Sequence, residues 1–155
     1  MITIRPATVR DYCYIAANLR ASDREEIFCQ LPDDVDARAV GQLSYEGSVP
    51  EWRFAAWYRK RPAAAFGFQW LNAVTLLAWA WGNRDFNRCA PRIGRHILGL
   101  KDEAAARGVR RIEARALSTH HRAAGWMCKL GAVPVAELKN HGRNGESFTL
   151  FEWLL

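Results

Sequence analysis

The chain has 155 residues, half of them hydrophobic, and carries 22 Lys and Arg against 16 Asp and Glu, a formal charge of +6. That length provides one complete apolar core and no room for a second, so a single domain over residues 1–155 is expected, with a basic excess that suits a polyanionic partner. Cys13, Cys29, Cys89 and Cys128 show no CxxC spacing, which argues against a disulfide scaffold or a metal site, and the longest apolar stretch, Ala73 to Trp81, is too short to span a bilayer.

Met1 is followed by Ile-Thr-Ile-Arg rather than by a basic segment and an apolar run, so an unprocessed protein in a reducing cytoplasm is expected. Thr8 and Asp11 have capping-box spacing, and Tyr12, Ile15, Ala16 and Leu19 recur at helical intervals, which predicts a first helix over Val9 to Arg20. A second short helix is predicted from Asp23 toward Gln30 and a third over Val35 to Ser44. Arg53 to Trp57, Ala63 to Trp70 and Val74 to Trp81 read as three strands, the first two joined at Arg59-Lys60-Arg61-Pro62. Ile93, Ile97, Leu100 and Ala104 share a face, with Pro91 in the first turn and Gly108 at the end, so a long helix is predicted over Cys89 to Arg107. At the C-terminus, Val133 to Leu138 and Ser147 to Trp153 flank Asn144-Gly145, a pair suited to a tight hairpin turn.

The stretch from Val109 to Val135 is the most telling. Ile112, Ala114 and Ala116 alternate with Arg111, Glu113 and Arg115 as in a half-buried strand. Ser118 or Thr119 can then cap a short helix that Gly131 ends, and Pro134 prevents its continuation. Strand, helix and strand in this order make a βαβ unit, and three strands ahead of a helix and such a unit predict a mixed α/β sheet.

In detail the unit resembles the second half of the GNAT superfamily of acetyl-CoA-dependent N-acetyltransferases. That family's pattern is Asn, two residues, a small residue, two residues, an aromatic pair, then Lys-x-Gly and a hydrophobic residue. The matching positions here are His120, Ala123, Trp126, Met127, Lys129, Gly131 and Ala132. His120 replaces the usual Asn, and Met127 replaces the Tyr that reprotonates the leaving thiolate. Over nearly the whole chain a sharper resemblance is to small GNAT-like proteins of short-tailed bacteriophages, a group that includes internal virion protein A. It is carried by Ile4 to Ala7 and by Ala17-Asn18-Leu19-Arg20 with Asp23-Arg24.

The resemblance implies the acyl-CoA N-acyltransferase fold, α/β with a mixed, mostly antiparallel sheet, splayed central strands and flanking helices. It implies acetyl-CoA or a related acyl-CoA as cofactor, held by the backbone of Trp79, Ala80 and Trp81 and by His120, Ala123 and Trp126. The pyrophosphate is expected at the start of the long helix, where the family's Gly-rich loop corresponds to Cys89, Arg92 and Gly94. Arg84, Arg88, Arg92 and Arg95 crowd that segment, and guanidinium groups with helix-start amides attract phosphate.

The acceptor is expected to be an amine, of a small molecule or of a host protein, in a pocket that includes Arg20, Asp23 and Glu26. Its deprotonation needs a general base, and His120, Glu26 and Glu113 are the candidates. Glu113, between Arg111 and Arg115, reads equally as an ion-pair partner, and Cys128 as a small packed hydrophobe. Trp79 and Trp81 share one face that reads as core or as a stacking surface for ligand. The phage resemblance places the protein in the cytoplasm of an infected bacterium and in the virion. A binding protein that keeps the fold without turnover is the alternative. Nucleic acid is not expected as a partner, because the sequence establishes no continuous Arg/Lys stripe interleaved with exposed aromatics.

Overall fold

A computed structural model describes all 155 residues, Met1–Leu155. The chain runs β1 (Ile2–Pro6), α1 (Val9–Ala17), α2 (Ala21–Phe28), α3 (Ala37–Gly47), a 3₁₀ turn (Pro50–Trp52), β2 (Arg53–Tyr58), β3 (Arg61–Asn72) and β4 (Thr75–Gly82). It continues with α4 (Phe86–Ala106), β5 (Arg111–Leu117), α5 (His121–Lys129), β6 (Val133–Leu138) and β7 (Phe148–Leu154). One seven-stranded sheet has the order β1-β2-β3-β4-β5-β7-β6. All neighbours are antiparallel except β4 and β5.

The parallel pair is the exception that matters. Register links β4 to β5 only at Thr75↔Arg111, Leu76↔Ile112 and Leu77↔Glu113. Beyond Leu77 the two strands part, although β4 remains paired with β3 as far as Gly82 and β5 with β7 as far as Leu117. The splay expected from the resemblance is therefore present.

Helices cover both faces. On one, Tyr12, Ile15 and Ala16 of α1 pack with Ala55, Ala65 and Trp81. On the other, Phe86, Cys89 and Ile93 of α4 pack with Ala56, Ala64 and Phe66. Adjacent alanines in β2 and β3 point to opposite faces and let helix axes approach closely on both sides. α1 and α3 meet closely as well. A Cβ added at Gly41 would lie 2.7 Å from the Cα and N of Cys13, both backbone atoms that cannot swing aside. Gly41→Ala is expected to destabilise by about 2 kcal/mol despite alanine's better helix propensity, measured by denaturant unfolding.

Several boundaries differ from the sequence expectation. The Thr8–Asp11 capping box forms as expected, but α1 ends at Ala17, because Asn18 turns back to donate from Nδ2 to the Tyr14 carbonyl at 2.8 Å. α2 begins at Ala21. The long helix starts at Phe86 rather than at Cys89, which puts Pro91 inside it. Asn83 sets that start by accepting the Asp85 N–H at 2.9 Å, and Phe86 and Cys89 are buried on the stripe that Ile93, Leu100 and Ala104 continue. The α5 cap also differs: His120 occupies the N-cap without a side-chain bond, and Ser118 Oγ lies 3.0 Å from Thr149 Oγ1. Gly108 and Gly131 do adopt the positive φ expected at a helix end.

Both hairpins carry surprises. β2 and β3 turn through Arg59 (φ 48°) and Lys60 (φ 64°), two successive side-chain-bearing residues in the left-handed region. The β6–β7 connection is a long loop rather than a tight turn, since of Asn144-Gly145 only Gly145 has a positive φ. The loop folds on itself through the amides of His141 and Gly142, which both donate to the Glu146 carbonyl. Arg143 fastens it to Asp33 and to the carbonyls of Cys29 and Leu31. No helix is long and apolar enough to cross a membrane.

Candidate active site

The gap between β4 and β5 opens into a cleft of about 240 Å³. Ala78, Trp79 and Ala80 line one wall, and Ala114, Arg115 and Ala116 of β5 the other. Ile97 and Leu100 of α4 close it from one side, Ala123, Trp126 and Met127 of α5 from another, and Arg20, Asp23 and Glu26 stand at the mouth beside α2. Because β4 has no strand partner on its β5 side after Leu77, its peptide groups there are open to an extended ligand. A narrow, mostly apolar slot with a few polar groups at one end is the usual form of a small-molecule site.

Glu26 is the polar group at the β5 side of the mouth. Its Oε1 accepts the Leu117 N–H at 2.7 Å, and its side chain is only 17 % exposed. Burial pushes its pKa up to about 7, against the opposing pull of the Leu117 N–H and with a further push from the Asp23 carboxylate. His120 sits beside it, with Nδ1 3.9 Å from Glu26 Oε1 and Nε2 3.8 Å from Glu25 Oε2. Two of the candidate bases are thus brought together.

Asp23, one helical turn before Glu26, is buried and fully engaged. Arg20 donates to it from Nε at 2.8 Å and from Nη2 at 3.0 Å, and the Gly82 N–H donates at 2.8 Å. Arg20 also donates to Asn87 Oδ1 at 2.8 Å and lies 4.0 Å over the Phe86 ring. The two carboxylates of α2 therefore hold opposite sides of the gap, Asp23 at the end of β4 and Glu26 at the end of β5.

The remaining expected residues divide. Trp79, Ala80, Ala123 and Trp126 line the cleft with Arg20, Asp23 and Glu26. Trp81 does not: it is buried against α1, stacked on Trp79 at 5.3 Å and packed edge-on to Tyr12, so its ring belongs to the core. Glu113 lies in the paired part of β5, bonded to Arg111 at 2.8 Å and 3.8 Å from Arg115, and does not reach the gap. Arg88 and Arg92 do not line it either. With α4 beginning at Phe86, Arg88 turns toward Asp85, at 3.5 Å, and the Tyr58 ring, while Arg92 is exposed in the second turn. Gly94 is mid-helix, where a Cβ would come 2.8 Å from Leu130 Cδ2, so it serves close packing rather than a phosphate loop.

Sequence reasoning overlooked Phe86 and Asn87 at the α4 end of the cleft and Arg115 and Arg122 on its β5 and α5 walls. Phe86 was detectable as the first residue of the α4 apolar stripe. Arg115 and Arg122 carried no signal, since only the parting of β4 from β5 brings their segments to the edge of the gap. Met127 does line the cleft and is buried, and no tyrosine lines it.

No model of a known protein family matches this chain, and no curated protein sequence does. Solved structures match it over almost its whole length. The ribosomal-protein-S18-alanine N-acetyltransferase from Escherichia coli aligns at a TM-score of 0.69 and 17% identity, covering 99% of this chain and 94% of that one. Ribosomal-protein-alanine N-acetyltransferase from Brucella melitensis aligns at 0.70 and 18%, covering 99% of both chains. The protein yncA from Salmonella typhimurium, solved with its cofactor acetyl-CoA, aligns at 0.70 and 17%, over 99% of this chain and 94% of that one. The chain therefore has the GNAT acetyltransferase fold.

Proposed function

We propose that this chain is an acetyl-CoA-dependent N-acetyltransferase that works as one domain, with Glu26 as the general base toward an amine acceptor. The observation that carries the reading is Glu26 itself: a carboxylate raised to about 7, buried at the mouth of an apolar slot and fixed by the Leu117 N–H. A base poised near neutral pH at the mouth of an apolar cleft is what proton abstraction from an ammonium or amine requires.

The slot suits the cofactor's thin, amide-bearing arm. The open edge of β4 at Ala78, Trp79 and Ala80 offers peptide groups to it, and Ala123, Trp126 and Met127 offer apolar contact. Arg122 is the cation on this slot outside the Arg20–Asp23 pair and the Arg115–Glu113 contact, and it takes the phosphate-holding role in place of Arg88 and Arg92. When bound, acetyl-CoA supplies an activated thioester. Glu26, ionised above about pH 7, takes the acceptor's proton, with the His120 imidazole standing 3.9 Å from its Oε1. Arg20, held against Asn87 and Phe86, shapes the acceptor side of the mouth. Met127 has no proton to give, so protonation of the departing thiolate falls to Glu26 in its newly acidic form. Met127→Leu is accordingly expected to leave kcat within about twofold of wild type in an acetyl-CoA consumption assay; a larger loss means the helix register at the cleft is misassigned.

The phage resemblance of Ile4–Ala7 and Ala17–Arg24 supports a finer proposal, a phage-encoded enzyme acting on host protein amines in the bacterial cytoplasm. Calorimetric titration of acetyl-CoA and CoA, followed by mass spectrometry of lysate proteins for acetyl groups, tests both levels. Saturable heat that Arg122→Ala weakens about tenfold, with new acetyl-amines on host proteins, is the expected result. Saturable heat without any acetylation beyond a no-protein control leaves the fold as a binding scaffold, and no heat at millimolar CoA removes the cofactor from the reading.

A further inference from the structure

The cations that do not face the cleft gather elsewhere. Arg59 and Arg61 of the β2–β3 hairpin and Arg84 and Arg88 of the β4–α4 turn line a concave basin of about 610 Å³ with Tyr58 and Asp85. Arg59, Arg61, Arg84 and Arg88 are exposed, as is Lys60 at the tip of the hairpin. Asp85 is the basin's one carboxylate and lies 3.5 Å from Arg88, and Arg59, Arg61 and Arg84 form no salt bridge. Asp85 and Arg88 belong to the first turn of α4, so the positive end of that helix adjoins the basin. The guanidinium groups of Arg59 and Arg88 lie 5.2 and 5.4 Å from the centre of the Tyr58 ring.

Two features set this apart from an ordinary solvated face. Like charges are concentrated in a concavity, where their repulsion is greatest and a counter-charge is most strongly favoured. The hairpin also holds Arg59 and Lys60 at φ 48° and 64°, a conformation that Asn-Gly adopts without strain. Backbone strain retained to present two cations points to a use for them.

We propose that this basin binds a single-stranded nucleic acid through its phosphates. Arginine forks match phosphate oxygens, and four of them here face a single carboxylate, a surplus suited to a flexible strand whose successive phosphates can reach each in turn. A neighbouring hollow of about 310 Å³ shares Arg61, Arg84 and Asp85 and runs to Arg20, so the occupant lies beside the cleft mouth. The inference is independent of acetyl transfer, since none of the basin's residues lines the cleft.

The test is fluorescence anisotropy with labelled 12-nucleotide RNA and DNA strands across a salt series. Four phosphate contacts give a log–log salt slope of about −3 for a single strand. The combined Arg59→Ala, Arg61→Ala, Arg84→Ala, Arg88→Ala variant is expected to bind at least tenfold more weakly with a flattened slope, while Lys101→Ala with Arg110→Ala leaves binding unchanged. Arg59→Asn with Lys60→Gly is expected to raise Tm and still weaken binding, which separates lost contacts from a damaged fold. A preference for RNA or DNA identifies the source of the strand. The proposal is overturned by absence of saturable binding at 50 mM salt, by equal loss in the control variant, by polyglutamate competing as well as either strand, or by CoA displacing the strand.

Discussion

Glu26→Gln is expected to cut acetyl transfer at pH 8 by at least a hundredfold and at the same time to make the protein more stable. The first effect follows from the usual contribution of a positioned base, about a hundredfold to ten-thousandfold. Wild-type activity should rise with pH through about 7, where Glu26 loses its proton, and that rise should be missing in the variant. His120→Ala should lower the rate by about tenfold and keep the rise.

The second effect is linkage. Glu26 ionises near 4.5 ordinarily and near 7 in the folded chain, so between those values the folded state holds a proton that the unfolded chain has released. Stability contributed here is lost as pH increases from about 4.5 to 7 and stays lost above. Gln keeps an acceptor for the Leu117 N–H and carries no charge. At about 1.4 kcal/mol per pH unit, reduced because the group is not wholly sealed from water, the gain is about 2 kcal/mol at pH 8 and close to nothing at pH 4. Urea unfolding at the two pH values measures it, and an equal gain at both would remove charge as the cause.

Asp23→Ala should have the largest effect on the fold itself. Removing one partner of a buried, hydrogen-bonded ion pair costs about 3 kcal/mol or more, because the other charge stays behind. Here Arg20 would be left against Phe86 with only Asn87 to satisfy it, and the Gly82 N–H would lose its acceptor. For a chain of this size Tm should fall by about 10 °C. Asp23→Asn keeps one acceptor oxygen and should lose roughly half as much. A loss below 1 kcal/mol for Asp23→Ala would show that the pair only decorates the mouth. The acetylation rate at saturating cofactor is expected to fall further than the KM for acetyl-CoA changes, since α2 carries Glu26 as well as Asp23.

The sequence made the architecture legible wherever local rules decide it. The alternation through Ile112, Ala114 and Ala116, the Thr8–Asp11 box and the glycines at 108 and 131 each depend on neighbours a few residues away, and each formed as expected. The start of α4 was misjudged because Pro91 is a familiar first-turn residue, whereas the buried positions of Phe86 and Cys89 and the bond from Asp85 N–H to Asn83 outweigh it. The four arginines expected to crowd one helix start are instead divided: Arg84 and Arg88 flank the start of α4, while Arg92 and Arg95 are exposed further along it. Glu26 could be nominated from the resemblance alone. Nothing in its neighbours reveals that Leu117, 91 positions away, fixes its carboxylate at the cleft.

β4 and β5 are joined at one end by three residue pairs and at the other only through α2, by way of Gly82 and Leu117. Mechanically, the sheet is two half-sheets with a hinge at Leu77 and Glu113 and a latch at their far ends. A proton arriving on Glu26 weakens its bond from the Leu117 N–H, so the latch has one side set by pH and another, the Asp23 side, held by the Arg20 ion pair.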